Sequence, residues 1–496
     1  MKNTKDLISD AKKFYQNKNY FEAKSKLILA LEKVQNDNIT KLKLYILIAD
    51  TCYKINELEN TEKYLLKYIK NGNPNSELLN WLGNTYLKRR DYKNSEKFYL
   101  DSIKLDEKNE DALINLAVLY HNLGDQKKAI SFYNKILKKN PKNVGALYNL
   151  SNLDKEIIDT NIIKTLNKLI KDDSLSNFDI ASSYFLLAEN AKRQKNIEKE
   201  IEMLNEANKF SFKEKEIKNN QVNEYWLKTI SEKFDRINFS SVQDNKIETN
   251  HIFPFFIIGL PRSGSTLIES IISSGKDNVE NLGETNLVNW AFINFNREFL
   301  KDTTNADKDI KINFETTAYN LKNSINNLNL KKNKKIFFSE KSLENFYYIE
   351  LILNIYPNAK FINPYRNLID NIFAIYKQFL SNISWSHFIE DILLYVNNYL
   401  LTIDYFKKKF PGKILSVSLE NFTNDPKKIS MEIYKFCNLE WDEKCLDFYK
   451  RNDLFINTAS NNQVRNSVQK YDKTKYNSYK HILKPFEKKY DWLNLN

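Results

Sequence analysis

The stretch FFIIGLPRSGST, which runs from Phe255 to Thr266, decides the fold expected for the second half of this chain. Its first four residues are apolar and lie between Pro254 and Gly259, a pattern that predicts a buried strand. The residues that follow, LIESII, carry their apolar side chains on one face of a helix. The predicted order is therefore strand, loop, helix.

The loop between this strand and this helix has the features of an anion-binding loop. Gly259 and Gly264 have the outer spacing of a phosphate-binding loop, in which backbone N–H groups and the positive end of a helix surround an anion. Ser265 stands where the signature of nucleoside-triphosphate enzymes has lysine, and Arg262 is the substitute cation inside the loop. A tight turn without a ligand is the alternative. The internal arginine and the two hydroxyls at the helix start favour anion binding.

The composition is that of a globular protein with room for two or three domains. The chain has 496 residues, 42% of them hydrophobic, and its longest apolar runs fall well short of a membrane span. The charged stretch after Met1 lacks the apolar core of a signal peptide. Three scattered cysteines and four histidines show neither a disulfide framework nor the spacing of a metal site. We therefore expect a cytoplasmic protein without a membrane span and without a metal ion.

The net charge of +13 results from 76 Lys+Arg against 63 Asp+Glu. Such an excess is compatible with binding of nucleic acid or of an anionic substrate. The lysines are dispersed along the chain, which favours a solvated surface, with attraction of an anionic cofactor as the alternative. We expect no nucleic-acid partner.

A period of 34 residues runs through the first half of the chain. Ala49, Gly83 and Ala117 are separated by 34 residues each (83 − 49 and 117 − 83), which is the length of a tetratricopeptide repeat. The clearest copy extends from Glu110 to Asn143, and poorer copies precede and follow it. Small residues at these positions let the two helices of a repeat cross closely. Such arrays commonly bind a peptide or protein partner and carry out no chemistry.

The expected architecture is a tetratricopeptide helical array followed by a phosphate-loop-like α/β domain with a mostly parallel sheet. The array, with about five or six repeats and a helical extension, accounts for residues 1–236. Residues 237–250 are polar and lack a period, and they predict a linker. Residues 251–496 form the α/β domain, which is expected to carry the chemistry.

The loop sequence GLPRSGST resembles the sulfate-donor loop of sulfotransferases. With the repeats, it is similar to the bacterial family that joins tetratricopeptide repeats to a sulfotransferase domain, which is related to the protein-tyrosine sulfotransferases. The resemblance covers nearly the whole chain, repeats included, and other elements of that family follow the loop in order. They are a Gly-Glu pair at Glu284, a Lys-x-x-x-Asn element at Lys341 and Asn345, an arginine at Arg366, and the late element TASNNQVR that ends at Arg465.

The resemblance implies transfer of a sulfuryl group from 3′-phosphoadenosine 5′-phosphosulfate to a hydroxyl or amine acceptor. It makes Glu284 the general base, and a carboxylate in a partly desolvated cleft is suited to take the acceptor proton. Arg262 and Lys341 would offset the charge that develops as the sulfur–oxygen bond breaks. The 5′-phosphate would be held by the backbone N–H groups of Arg262, Ser263, Gly264, Ser265 and Thr266.

The 3′-phosphate site that the resemblance implies is only partly kept. Arg366 matches, and a guanidinium is suited to bidentate phosphate binding. The family has aspartate-proline after this arginine and a serine eight residues later, whereas this chain has Asn367-Leu368 and Ala374. Arg465 and Lys475 correspond to groups near the nucleotide, although the interval before Lys475 matches poorly.

Two other functions stay open at this point. One is a nucleotide-binding scaffold whose donor site has decayed and which acts through its repeats, and Asn367, Leu368 and Ala374 favour it. The other is a kinase with the same loop, against which the missing loop lysine argues. The acceptor class is also open among protein tyrosine, polysaccharide, lipid and small phenol, and so is the formation of a homodimer.

Overall fold

The computed structural model describes residues 3–239, 251–277, 279–296, 299, 310–326, 328, 335–451 and 454–494. The chain divides into two compact units, and each is interrupted in sequence. The first unit comprises Met1–His121, Asp125–Lys139 and Asn320–Leu330, and the second comprises Asn122–Gly124, Asn140–Tyr319 and Lys331–Asn496.

The first unit is built from helices that pack in consecutive pairs. Polar residues begin several of them, and the Asn75 and Asp91 side chains accept hydrogen bonds from the N–H groups of Leu78 and Asn94. The helices of this part of the chain are α1 (Thr4–Gln16), α2 (Tyr20–Lys33), α3 (Asn38–Lys54), α4 (Leu58–Asn71), α5 (Ser76–Lys88), α6 (Tyr92–Leu105), α7 (Glu110–Leu123) and α8 (Gln126–Lys139).

The small residues of the 34-residue period allow close packing within this unit. A Cβ at Gly83 in α5 would lie 2.6 Å from the ring of Tyr99 in α6, so any side chain there would displace the ring. Ala49 and Ala117, one period before and after, are fully buried. The prediction that these positions bring helices together is confirmed.

The second unit contains further helices that continue the chain after α8. The regular pairing is interrupted by a 3₁₀ turn at Lys155–Ile157. The pairing resumes with two long helices that pack on each other. These helices are α9 (Val144–Leu153), α10 (Thr160–Leu169), α11 (Asn177–Arg193), α12 (Ile197–Lys213) and α13 (Glu216–Glu224).

A five-stranded parallel sheet, counted over the described residues, is the centre of the second unit. Its order is β3-β5-β2-β6-β7, and β1 and β4 form a separate parallel pair. The central strand β2 is buried, with Phe256 and Ile257 fully inaccessible, because neighbours cover both faces of a parallel sheet. The strands are β1 (Ile237–Asn238), β2 (Ile252–Ile257), β3 (Glu280–Asn281), β4 (Ile310–Lys311), β5 (Ile336–Glu340), β6 (Lys360–Tyr365) and β7 (Ile414–Ser418).

Helices cover this sheet and complete its core. The apolar face predicted after the loop is confirmed, since Ile268, Ile271 and Ile272 join Phe255 and Ile362 in one buried cluster. The helices that follow β2 along the chain are α14 (Ser265–Ile272), α15 (Leu287–Phe295), α16 (Phe314–Asn326), α17 (Ile349–Ile355), α18 (Leu368–Tyr376), α19 (Ile389–Lys409), α20 (Leu419–Asn424), α21 (Pro426–Cys437) and α22 (Asn461–Val464).

The parallel strands carry the predicted site residues to one edge of the sheet. The loop with Arg262 follows β2, and Glu284 follows β3 at a short distance. Lys341 comes directly after β5, and Arg366 comes directly after β6. Because the carboxyl ends of parallel strands share an edge, these side chains lie where α/β proteins bind their ligands.

The domain boundaries expected from the sequence stay a prediction. The two compact units divide the chain at other positions, and residues 140–236 belong to the same unit as the sheet. Residues 240–250, most of the expected linker, lie outside the described residues. Across the ranges that the structure covers, no helix has the length and apolar character needed to cross a membrane.

Candidate active site

The loop after β2 has a backbone that its two glycines make possible. Gly259 and Gly264 have φ angles of +130° and +98°, a region that residues with a side chain rarely adopt. A Cβ on Gly259 would lie 2.8 Å from Oδ1 of Asn363, and one on Gly264 would lie 2.9 Å from Cδ1 of Leu419. Arg262 has a φ of +65°, a strained value for a non-glycine residue of the kind that clusters at functional sites.

The start of α14 offers hydrogen-bond donors to an anion. Gly264 precedes the first turn, and the N–H groups of that turn have no partner inside the helix. Ser265 and Thr266 are buried there, and Thr266 Oγ1 lies 3.2 Å from Thr458 Oγ1. The buried Ser263 hydroxyl has no hydrogen-bond partner among the described residues. Backbone and hydroxyl donors therefore converge on the loop.

The Arg262 side chain is held by residues from the C-terminal part of the chain. Its Nη1 donates to Ser460 Oγ at 2.6 Å, and its Nη2 donates to Gln463 Oε1 at 3.2 Å. Burial lowers the pKa of Arg262 to about 10, and the nearby positive charge of Arg366 acts in the same direction. Two guanidinium groups that repel each other favour an anion between them.

Arg366 lies at the end of β6 with its guanidinium against an aromatic ring. Its Cζ is 5.7 Å from the centroid of the Tyr476 ring, and its Nη2 donates to the carbonyl oxygen of Asp370. Its buried Nε has no partner among the described residues. The guanidinium of Arg366 therefore has N–H donors that are not used in hydrogen bonds to the described residues.

The two departures from the family pattern after Arg366 have different structural consequences. Asn367 caps α18, because its Oδ1 accepts a hydrogen bond from the Asp370 N–H at 3.1 Å. Asparagine caps a helix as well as aspartate does, so this substitution keeps the helix start. Ala374 is 6% exposed, and its methyl group supplies no hydroxyl to a ligand.

A cavity of about 630 Å³ joins most of the predicted donor-binding residues. Its volume is within the usual range for a small-ligand site. The lining does not include the Glu284 and Lys341 side chains, which lie at the neighbouring strand ends. The predicted residues that do line it are Arg262, Gly264, Thr266, Arg366 and Lys475.

The predicted base Glu284 forms an ion pair with Lys341. Their Oε1 and Nζ atoms are 2.5 Å apart, and Lys341 is fully buried whereas Glu284 is 46% exposed. Burial alone would lower the pKa of Lys341, but the carboxylates of Glu284 and Glu269 outweigh it and raise the pKa. Lys341 is therefore a buried cation, and the carboxylate of Glu284 is open to solvent on one side.

Asn345, the last residue of the Lys-x-x-x-Asn element, holds a buried carboxylate, that of Glu340. Its Nδ2 donates to Glu340 at 2.5 Å, and Thr285 Oγ1 donates to the same carboxylate at 2.7 Å. Burial raises the pKa of Glu340, and the hydrogen bonds from Ser342 and Thr285 oppose that rise. Through these hydrogen bonds Glu340 links Thr285, which follows Glu284, to Asn345, which follows Lys341.

Glu269 in α14 is a second buried carboxylate at this edge, and no sequence motif includes it. Its Oε1 accepts a hydrogen bond from the Gly283 N–H at 3.1 Å, and the Lys341 N–H donates to the Gly283 carbonyl at 2.9 Å. Burial raises the pKa of Glu269 to about 7, against the opposing charge of Lys341. The helix that follows the glycine loop is thus hydrogen-bonded to the peptide that precedes Glu284.

We expect Glu269→Gln to change how stability depends on pH. Between about pH 4.5 and 7 the folded protein holds a proton on Glu269 that the unfolded chain has released, so this carboxyl lowers the free energy of unfolding as pH rises. The loss reaches about 3 kcal/mol above pH 7. Glutamine does not titrate, so the variant becomes more stable relative to wild type across this range.

Urea unfolding of both proteins at pH 5, 6, 7 and 8 measures this difference. Other raised carboxyl pKa values, such as that of Glu344, are common to both proteins and cancel. Glu443→Gln, which removes a carboxylate exposed on the surface, is the matched control and is expected to show no such trend. A constant difference between Glu269→Gln and wild type at all four pH values would contradict the prediction.

The two late residues carried over from the family lie in different surroundings. Arg465 donates through Nη1 to the Arg451 carbonyl at 2.9 Å and through Nη2 to the Asn122 and Leu454 carbonyls at 2.8 and 2.6 Å. The Nη atoms of Arg465 thus donate to backbone carbonyl groups. Arg465 is not among the residues that line the cavity. Lys475 is exposed at the cavity, beside Tyr476. Nucleotide binding by either residue stays a prediction.

Several residues of the site were not found from the sequence. Ser460 and Gln463 lie inside the late element that was recognised, but only the folded chain shows that they contact Arg262. Tyr476 faces Arg366, and Glu269 lies one turn into the helix after the loop. For Glu269 the sequence gives no signal, because this residue lies away from the apolar face formed by Leu267, Ile268, Ile271 and Ile272.

Comparison with known proteins assigns families to both parts of the chain. A model described as "Sulfotransferase family" matches residues 254–443, which include the loop, Glu284, Lys341 and Arg366. Two models described as "Tetratricopeptide repeat" match residues 76–109 and 110–143. The second match coincides with the repeat expected from Glu110 to Asn143.

Individual relatives are distant. A protein of Aquifex aeolicus (strain VF5), named "Uncharacterized protein", is 25% identical over 354 residues, which are 65% of this chain and 43% of that protein. The chain thus spans less than half the length of this curated relative.

Solved structures that are similar include the sulfotransferase domain from the Synechococcus PCC 7002 olefin synthase and YrrB, a tetratricopeptide protein with an unusual peptide-binding site. The first is 15% identical, with 46% of this chain and 87% of that chain covered and a TM-score of 0.33. The second is 16% identical, with 41% and 84% covered and a TM-score of 0.25. On the family matches, this chain combines tetratricopeptide repeats with a domain of the sulfotransferase family.

Proposed function

We propose that the protein is a sulfotransferase that moves a sulfuryl group from 3′-phosphoadenosine 5′-phosphosulfate to a hydroxyl or amine acceptor. The observation that carries the proposal is the pairing of Arg262 and Arg366 at one cavity, next to a helix start that offers N–H donors. A donor with a 5′-phosphate, a sulfuryl group and a 3′-phosphate has anionic groups for both arginines. The family match over residues 254–443 supports the same reaction.

The proposed reaction assigns a task to each charged group at the strand ends. Glu284 takes the proton from the acceptor O–H or N–H, and the acceptor atom bonds to sulfur. The bond between sulfur and the phosphate oxygen breaks, and its electron pair stays on the 5′-phosphate. Lys341 and Arg262 offset the charge that grows on that oxygen. Because Lys341 is paired with Glu284, its ammonium group has to turn toward the donor when the donor binds.

The 3′-phosphate is proposed to bind Arg366. Arg366 has a buried Nε without a partner among the described residues, so it has donor capacity to spare. Ala374 offers no hydroxyl, which costs about 1 kcal/mol of donor affinity relative to a serine. A binding protein without turnover is the second candidate function, and the buried Ala374 methyl is the observation that favours it. A kinase is less favoured because Ser265 replaces the loop lysine.

Further properties are proposals that rest on the family and the composition. The repeats are proposed to bind a protein or peptide, either the acceptor or a separate partner. The acceptor class, a homodimer and a cytoplasmic location stay predictions. Over the described residues, no three His, Cys, Asp or Glu side chains are arranged as ligands of a metal ion, and the expected metal independence stays a prediction too.

Calorimetric titration with 3′-phosphoadenosine 5′-phosphate tests the donor site. We expect micromolar binding to the wild type, about 10- to 100-fold weaker binding to Arg262→Ala and Arg366→Ala because each loses charge-assisted hydrogen bonds, and much weaker binding of ATP. Arg236→Ala, whose guanidinium donates to the Glu232 carbonyl within its own turn, is the control and should bind as the wild type does. No binding to the wild type, or equal binding by all variants, would refute the proposed donor site.

A further inference from the structure

The segment from residue 454 to residue 465 supplies the groups that orient the loop arginine. It contains α22, and it presents Ser460 Oγ and Gln463 Oε1 to the guanidinium of Arg262. It lies beyond residues 254–443, the part that matches the sulfotransferase model. The contacts that hold this segment therefore determine the position of the Arg262 guanidinium.

Asn122, at the end of α7, holds this segment from one side. The residue belongs to the tetratricopeptide match 110–143 and, in the fold, to the second compact unit. It is 6% exposed, and its Nδ2 donates to Asn457 Oδ1 at 3.2 Å while its Oδ1 accepts from Asn461 Nδ2 at 3.4 Å. Its carbonyl also accepts from the Ile456 N–H at 2.9 Å. With the hydrogen bond from Arg465 to the same carbonyl, one asparagine thus contacts four residues of the segment.

Gly124, two residues later, lets the segment's arginine approach the backbone. Its φ is +85°, and a Cβ there would lie 2.9 Å from Cζ of Arg465. Arg465 in turn donates to the Asn122 carbonyl and to two carbonyls near its own segment. Arg465 therefore fastens the segment to the end of α7.

Two further helices of the second unit contact residues at or next to the same cavity, although neither helix lines it. The Asn152 carbonyl in α9 accepts a hydrogen bond from Asn462 Nδ2 at 2.5 Å. In α12, the buried Glu200 accepts from Tyr479 Oη at 2.7 Å and pairs with Lys377 Nζ at 2.7 Å. Lys377 Nζ is 3.6 Å from the centroid of the Tyr479 ring, three residues after the cavity residue Tyr476.

We propose that the end of α7 at Asn122 is part of the donor site, with Asn122 as the positioning residue that holds residues 456–461 so that Ser460 and Gln463 orient Arg262. The inference rests on the proposed function, and it adds a task for the repeat beyond binding a partner. In this arrangement the donor binds at full strength only when Asn122 holds residues 456–461 in place.

The test is titration of full-length Asn122→Ala with 3′-phosphoadenosine 5′-phosphate. The variant loses two side-chain hydrogen bonds, and alanine keeps the helix because it has the highest helix propensity. We expect a dissociation constant about 3- to 10-fold higher than that of the wild type. Asn149→Ala is the matched control, since its Nδ2 donates to the Gly145 carbonyl within α9, and it should bind as the wild type does.

A double-mutant cycle separates positioning from general damage. In an Arg262→Ala background, Asn122→Ala is expected to weaken binding no further, because the group that it positions is gone. Asn122→Asp keeps the side-chain volume and the acceptor for Asn461 but cannot donate to Asn457, so its effect should be intermediate, and it serves if the alanine variant does not fold.

Each outcome decides the inference. Equal dissociation constants for the wild type and both Asn122 variants would overturn it, and so would an equal loss in the Arg262→Ala background. An absence of binding to the wild type itself would overturn the proposed function and, with it, the inference. Loss in the Asn122 variants that disappears in the Arg262→Ala background establishes the positioning role.

Discussion

Glu284→Gln is expected to lower kcat by about 10²- to 10⁴-fold while the protein still binds 3′-phosphoadenosine 5′-phosphate. In the proposed reaction, glutamine cannot take the proton that the acceptor releases when it bonds to sulfur. It keeps the size of the side chain, and its Oε1 still accepts a hydrogen bond from Lys341. Glu284 is not among the residues that line the donor cavity, so donor affinity should change little. Initial rates with an accepted substrate, together with the titration, measure both quantities.

A control variant that removes a surface carboxylate shows whether the fall in kcat is specific to Glu284. Glu443 pairs with Lys427, both are exposed, and Glu443→Gln is expected to leave kcat unchanged. Unchanged kcat in Glu284→Gln would show that another group takes the proton. Loss of donor binding in the same variant would instead show that Glu284 organises the cavity.

Local patterns sufficed for the parts of the fold that depend on neighbouring residues. The strand after Pro254, the glycine loop and the apolar face of α14 follow from sequence spacing, and the structure confirms them. The strand β2 begins earlier than expected, at Ile252. Proline is accommodated there because β6 pairs with β2 only from Phe255 onward. The location of Lys341 and Arg366 at one edge follows from parallel strands.

Contacts between distant residues could not be found in this way. Ser460 and Gln463 are 198 and 201 residues from Arg262 along the chain, and no local pattern connects them. For Arg465 the sequence predicted a role, but not the direction of the side chain. Its position in the family element was clear, but its side-chain direction depends on the carbonyls of Asn122 and Leu454, which only the fold brings together.

Lys341→Met is expected to reduce both turnover and stability. Lys341 is fully buried, and its removal leaves Glu269, which is 3% exposed, without the cation that opposes its burial. Loss of one partner of a fully buried pair costs about 3–5 kcal/mol, and we expect about 2–4 kcal/mol here because Glu284 is half exposed and screened by water. The loss of charge stabilisation at the departing oxygen should lower kcat by a further factor of about 10² to 10³.

Urea unfolding and initial rates on the same preparations distinguish the two effects. Lys409→Met is the matched control, because Lys409 forms a 2.7 Å ion pair with Glu350 but is 35% exposed, and its loss should cost less than about 1 kcal/mol. The double variant Lys341→Met/Glu269→Gln removes the unpaired buried carboxylate, so it should regain stability without regaining turnover. If the double variant recovered turnover as well, Lys341 would act only through folding, and its place in the proposed reaction would be wrong.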